Sequence, residues 1–144
     1  MAQLNPYVNF PGNTEEAFNF YKSVFGGEFI GIMRYKDTPE ADRISATEQD
    51  KIMHIALYVG SNILMGTDML ESMGQKAEFG NNMSLNYGAD TEEEAREIFK
   101  KLSDGGTVSI PMEKQFWGDL FGMTTDKFGI QWMVSHMQQA PQQA

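Results

Sequence analysis

The sequence predicts an α+β fold made of two tandem strand–helix–strand–strand–strand modules, and three observations carry that prediction. The first is a helix-start signature repeated 78 positions apart: Asn13 with Glu16 three residues on, then Thr91 with Glu94, each pairing an N-cap residue with the acidic partner of a capping box. The second is the apolar stripe behind each start, Ala17, Phe20, Tyr21 and Val24 in one copy and Ala95, Ile98, Phe99 and Leu102 in the other, at helical spacing. The third is the glycine pair that ends each helix, Gly26 with Gly27 and Gly105 with Gly106, suited to a left-handed C-terminal cap. Two similar half-sheets can enclose a cavity, so the repeat predicts a container for a small molecule.

The remaining elements follow in order. Leu4 to Phe10 alternates as a strand, with Leu4, Val8 and Phe10 on one face and Asn5, Tyr7 and Asn9 on the other, and Pro11 and Gly12 close it. Glu28 to Tyr35 reads as a second strand, and the charged stretch Lys36 to Lys51, with Pro39, as a long loop and candidate lid. Ile52 to Val59 is a third strand whose Met53, Ile55, Leu57 and Val59 form an apolar face opposite His54, Ala56 and Tyr58. A tight turn at Gly60 to Asn62 leads into a fourth strand, Ile63 to Thr67. The second copy predicts strands at Met83 to Tyr87, Thr107 to Met112, Leu120 to Thr125 and Ile130 to His136, with Phe128 and Gly129 in the last turn. The expected organisation is one domain over 1–137, with modules at 1–68 and 82–137, a linker at 69–81 and a polar tail at 138–144.

Composition narrows the function classes. A chain of 144 residues buries roughly 70% of its unfolded surface, so no staple is needed. The absence of cysteine excludes disulfides, thiolate zinc sites and cysteine nucleophiles. A formal charge of −9 opposes nucleic acid and anionic membranes, and with no leader or long apolar run a cytoplasmic protein is expected. Ten phenylalanines, five tyrosines, two tryptophans and eleven methionines supply an adaptable apolar interior. No glycine-rich loop follows a strand in a βαβ unit, which argues against a methyltransferase on a dinucleotide-binding fold, and no nucleophile elbow is present.

Three segments, NFPGNTEEAFNFYKSVFGGEF, KIMHIALYVGSNILMGTD and PMEKQFWGDLFGMTTDKFGIQWMVS, stand in this order within the repeat. With the repeat itself they resemble the vicinal oxygen chelate (glyoxalase/bleomycin resistance/dioxygenase) superfamily over Leu4 to His136, and more narrowly its PhnB-like branch, some members of which carry a demethylubiquinone methyltransferase label. The resemblance implies a glyoxalase-like fold of two βαβββ modules forming a curled mixed sheet around a cavity, often in a homodimer. It also implies four ligand slots on the first and fourth strands of each module, which here hold Pro6 or Tyr7, Met65, Ser84 and Met133. Methionine in both carboxylate slots removes the hard oxygen donors of magnesium, manganese or iron and leaves too few strong donors for zinc or nickel. No bound metal and no other cofactor are therefore expected.

The candidate site is then a cavity lined by neutral hydrogen-bonding groups. His54, on the face opposite the apolar stripe of its strand, is the candidate acid or base, set against a purely hydrogen-bonding role on a sheet face. His136 falls in phase with Trp132 and Val134 on the helix-packing side. Tyr7 and Asn9, Ser84 and Asn86, Tyr58, Gln131 and Ser135, with Met65 and Met133, line the ligand. Phe116, Trp117 and Asp119 read either as an aromatic wall with a carboxylate at its mouth or as core aromatics beside a turn aspartate. Asp68 reads as a partner for a base or as a cap, and Asp126 as hairpin chemistry.

Three functions fit this pattern. The leading one is metal-free binding of a small organic molecule with lyase- or isomerase-type chemistry at His54. The others are sequestration of an antibiotic or toxic compound, and a divergent metal-dependent lyase or dioxygenase using His54 with Asp68 or Glu113.

Overall fold

The computed structural model describes residues 2–138, so the tail expected at 138–144 lies, beyond Gln138, outside the described residues. The chain divides into two compact units between Glu78 and Phe79, each holding one copy of the module. The first contains β1 (Tyr7–Phe10), α1 (Thr14–Phe25), β2 (Phe29–Arg34), β3 (Ile52–Val59) and β4 (Asn62–Asp68). The second contains β5 (Leu85–Gly88), α2 (Glu92–Ser103), β6 (Thr107–Lys114), β7 (Leu120–Thr125) and β8 (Gln131–His136). The expected mixed sheet takes the form of two four-stranded sheets, ordered β1-β4-β3-β2 and β5-β8-β7-β6, with the first pair of each parallel and the rest antiparallel. Among the described residues no helix is long and apolar enough to cross a membrane.

The two copies share a slip. Between Phe29 and Gly31 the β2–β3 register shifts by one residue, and between Val108 and Ile110 the β6–β7 register does the same. These are β-bulges, which sharpen the local twist of an edge strand. The first strand is shorter than expected because pairing with β4 begins at Tyr7 opposite Met65; Pro6 has no N–H, and only its carbonyl joins the ladder, accepting from Met65 N–H.

Each helix packs an apolar stripe on one face of its sheet, with one correction to the expected residues. In α1 the buried set is Ala17, Phe18, Tyr21 and Val24; Phe20 is only half-buried and the fully buried ring is Phe18. Gly66 on β4 explains the choice, because a Cβ there would lie 2.6 Å from Phe18 Cε1, so the missing side chain is the seat of the ring. Phe99 of α2 sits on Gly122 of β7 in the same way. Burial of one such ring contributes about 2–3 kcal/mol.

The caps also depart from the repeat. Thr91 Oγ1 accepts from Glu94 N–H at 3.0 Å, and the Glu94 carboxylate accepts from Asp90 N–H, one residue earlier than an ideal box. Asn13 makes no side-chain cap, and its Oδ1 is buried without a hydrogen-bond partner. Asp68 replaces it: Oδ1 accepts from Thr14 N–H at 2.9 Å and from Thr14 Oγ1 at 2.6 Å, while Oδ2 accepts from Ile52 N–H at 2.8 Å. One carboxylate from β4 thereby joins the start of α1 to the start of β3. At the other end Gly26 (φ 76°) and Gly105 (φ 74°) take the left-handed conformation expected of them.

The loop expected as a lid is folded into three short 3₁₀ turns, Tyr35–Asp37, Ala41–Arg43 and Ala46–Glu48. Lys36 pairs with Asp50 at 2.8 Å, Gln49 donates to the carbonyls of Ala41 and Ile44, and Glu48 bonds Ser72. Tyr35 Oη–H donates to the Asp68 carbonyl, tying the loop's first residue to the end of β4.

Candidate functional site

With α1 covering one face of the first sheet, alternation sends Tyr7 and Asn9 of β1, His54, Ala56 and Tyr58 of β3, and Met65 and Thr67 of β4 to the other. Strand pairing sets Tyr7 beside Met65, Asn9 beside Thr67, and Met65 beside Ala56, so these residues form one continuous patch. Met33 of β2 extends it, standing opposite His54. Of the expected ligand-lining residues, Tyr7, Asn9, His54, Tyr58 and Met65 are thus brought together.

At the centre of the patch Tyr7 Oη lies 3.3 Å from His54 Nδ1, with the two rings 5.8 Å apart and tilted by 38°. Partial burial raises the Tyr7 phenol above its ordinary value, against a smaller downward pull from its hydrogen bond with Thr67. The phenol therefore keeps its proton at neutral pH, and its hydroxyl lies within hydrogen-bond reach of Nδ1, with donor and acceptor set by the imidazole tautomer. Thr67, Tyr7 and His54 form a short polar chain across three strands. Thr67 and Met33 were missed in the sequence; Thr67 was within reach, since it alternates with Met65 on the same strand.

In the second unit the face away from α2 carries Asn86, Gln131, Met133 and Ser135, with Phe121, Met123 and Thr125 paired beside them. Ser135 Oγ donates to Asn86 Oδ1 at 3.1 Å. The register sets Asn86 beside Met133 as it sets Tyr7 beside Met65, so Asn86 holds the first-strand position expected of Ser84, which precedes β5. His136 faces the helix side, its Nδ1 3.0 Å from the Ala89 carbonyl.

Two expectations need correction. Asp68 is buried on the helix side of the first sheet and all its carboxylate bonds hold backbone and Thr14, so it neither lines the patch nor pairs with a base. Phe116 and Trp117 are not core aromatics: they stack edge to face, 4.8 Å apart, at the tip joining β6 to β7, and Phe116 is 98% exposed. Asp119 belongs to the same tip, its carbonyl accepting from Gln115 N–H and its carboxylate from Gln138 N–H. Asp126 does shape the last hairpin, accepting from Phe128 and Ile130 N–H, and it also binds Trp132 Nε1 at 2.8 Å.

The donor set does not fit a hard divalent ion. The strand positions that would hold one present a phenol beside a thioether in the first unit and an amide beside a thioether in the second, with no carboxylate. Among the described residues no group of three or more histidine, aspartate or glutamate side chains converges.

Comparison with known proteins agrees with this architecture. Protein YjdN of Escherichia coli is 27% identical, covering 97% of this chain and 99% of its own. The crystal structure of PA1353 from Pseudomonas aeruginosa is 37% identical with a TM-score of 0.84, covering 96% of this chain and 100% of its own. A PhnB protein from Bacillus cereus, described as a putative 3-demethylubiquinone-9 3-methyltransferase, is 27% identical with a TM-score of 0.77, covering 94% and 100%. A glyoxalase/bleomycin resistance protein/dioxygenase family enzyme from Burkholderia phytofirmans, 16% identical, shares the fold alone. Residues 2–135 match the family described as 3-demethylubiquinone-9 3-methyltransferase, and the chain belongs to that PhnB-like, glyoxalase-fold family.

Proposed function

We propose that this protein binds a small, uncharged organic molecule on the open face of its first sheet, without a tightly held metal, and moves a proton through the Tyr7–His54 pair in lyase- or isomerase-type chemistry. The observation that carries this reading is the 3.3 Å contact between Tyr7 Oη and His54 Nδ1 on a face otherwise made of hydroxyl, amide, thioether and aromatic groups. Charged substrates are disfavoured because the patch offers no cation to hold an anion and no carboxylate to hold a cation. Proton transfer needs an acid–base side chain and a partner that orients it, and this reading gives those roles to His54 and Tyr7. The protein works in the cytoplasm as a homodimer in this reading. The methyltransferase in the family's description is not part of it, since the sequence has no glycine-rich nucleotide loop.

A second reading, sequestration without turnover, is favoured by the second sheet. Its open face has the Asn86–Ser135 pair and the two methionines Met123 and Met133, with Glu113 opposite Phe121 on the exposed edge strand and no histidine, which suits recognition rather than chemistry.

One experiment separates them. A panel of neutral phenols, quinones and 1,2-dicarbonyl compounds is screened by melting, and hits are followed by mass spectrometry with wild type, His54→Ala and Tyr7→Phe. Conversion lost about 100-fold or more in a folded His54→Ala supports acid–base catalysis. Saturable binding with the compound recovered unchanged supports sequestration. Conversion that persists in His54→Ala removes His54 from the mechanism, and stoichiometric metal by elemental mass spectrometry removes the metal-free reading.

A further inference from the structure

Methionine is ordinarily a core residue, yet among the described residues no methionine lies in the buried core of this protein, whose apolar part is packed from other aliphatic and aromatic side chains. Met33 and Met65 stand on the open face of the first sheet and Met123 and Met133 on that of the second, while Met73, Met83 and Met137 are 63, 71 and 49% exposed. A partly exposed thioether is an adaptable packing group, and it is also the side chain that a peroxide converts to a sulfoxide. With no cysteine in the chain, methionine supplies the only sulfur such an oxidant can meet.

Met33 is set apart by its neighbour. The β2–β3 ladder pairs it with His54, and it is 43% exposed on an edge strand, so an oxidant reaches its sulfur in the folded protein. Directly opposed residues of an antiparallel pair have Cβ atoms about 4.5–5.5 Å apart, which puts the imidazole within reach of a long, flexible side chain. Tyr7 Oη meets the ring at Nδ1 from the side of β1, and Nε2 is the nitrogen left for a partner. As a thioether Met33 offers that ring little, because its sulfur is a weak acceptor with no proton to give. A sulfoxide oxygen is a strong acceptor and still has no proton to give, so it binds a ring nitrogen that carries one.

We propose that Met33 is a site of reversible oxidation by hydrogen peroxide or an organic hydroperoxide, and that its sulfoxide engages the His54 imidazole and withdraws it from acid–base work. The sulfur lone pair attacks a peroxide oxygen; the S–O bond forms as the O–O bond breaks, and the departing oxygen leaves with the remaining proton as water or alcohol. Sulfur is oxidised by two electrons and the peroxide reduced by two. Reversal consumes two thiols, which become a disulfide while the oxygen leaves as water, the reaction of methionine sulfoxide reductases. The regulatory meaning rests on the reading of His54 as an acid or base, whereas the modification and its contact with the ring do not.

The chain has only two histidines, so the imidazole resonances of His54 can be assigned by their loss in His54→Ala and followed by NMR. Hydrogen peroxide is titrated onto wild type and Met33→Leu, and each sulfoxide is located by peptide mass as a gain of about 16 Da, one oxygen. In wild type Met33 should convert and the His54 resonances should move, and methionine sulfoxide reductase with a thiol should return them. Met33→Leu keeps the volume but cannot take an oxygen, and its His54 resonances should stay in place at the same oxidant dose. Met33→Gln puts an amide oxygen near the sulfoxide position and should move them with no oxidant, a test that stands even if Met33→Leu does not fold. Met33 converted with His54 unmoved overturns the proposal, as does an equal movement in Met33→Leu, or Met33 left intact while Met73 and Met83 are fully oxidised. None of these readouts uses turnover, so they are decided separately from the loss of conversion in His54→Ala on which the proposed function depends.

Discussion

Tyr7 and His54 are 47 positions apart in the chain and touch because β1 and β3 both flank β4, with Tyr7 reaching across Met65 and Thr67. Each side chain was assigned to the open face by alternation alone, but their mutual contact needed the strand order. Tyr7→Phe removes the phenol while keeping the ring, and is expected to leave the fold intact and move the His54 imidazole resonances in NMR; unmoved resonances would show that the contact does not persist in solution. Glycine 66 is the other residue whose role is decided by a neighbour. Gly66→Val would push into the Phe18 ring and is expected to cost about 2–3 kcal/mol or more in urea unfolding, as overpacking does, whereas Gly31→Ala on the open edge should change stability little.

The two helices start from the same sequence signature and are capped by different means. Thr91 fills its cap and Asn13 does not, because the Asp68 carboxylate already occupies the N-terminus of α1. Thr91→Ala is therefore expected to lose about 1 kcal/mol, and Asn13→Ala to be neutral or slightly stabilising, since it deletes a buried oxygen without a partner. Asp68→Ala should cost about 3 kcal/mol or more, because it strands the buried N–H groups of Thr14 and Ile52 together. Chemical denaturation of the three variants checks all of this, and equal effects at Asn13 and Thr91 would contradict the structure. The capping box was legible in the sequence for α2, where donor and acceptor are local. For α1 it misled, because the true cap comes from 54 residues away.

At the scale of the molecule, pH acts through groups shifted in opposite directions. Arg34 holds the Glu15 carboxylate below its ordinary value through a forked hydrogen bond, and Ser72, Lys36 and Arg96 do the same for Glu48, Asp50 and Glu92. A lowered carboxylate contributes stability above its unfolded value that is lost as pH falls through its folded one. These groups are solvent-exposed, so the acid effect is gradual and screened by salt. Burial raises Tyr7 and Tyr87, whose contribution is present below about pH 10 and is lost as the unfolded chain ionises above it. The melting temperature should thus be flat between about pH 5 and 9, fall on both sides, and fall less on the alkaline side in Tyr7→Phe. What the sequence determined by itself was what local periodicity and repetition set: two modules, the eight strands and two helices of the described residues, and the faces of the first and third strands. What only the tertiary structure decided were the relations between distant residues: Asp68 as the cap of α1, Phe18 rather than Phe20 in the core, the solvent-facing Phe116–Trp117 tip, and the Thr67–Tyr7–His54 chain. The reason is physical: alternation and helical spacing act over a few residues, whereas strand order and the fit of a ring to a missing Cβ depend on which segments the fold brings side by side.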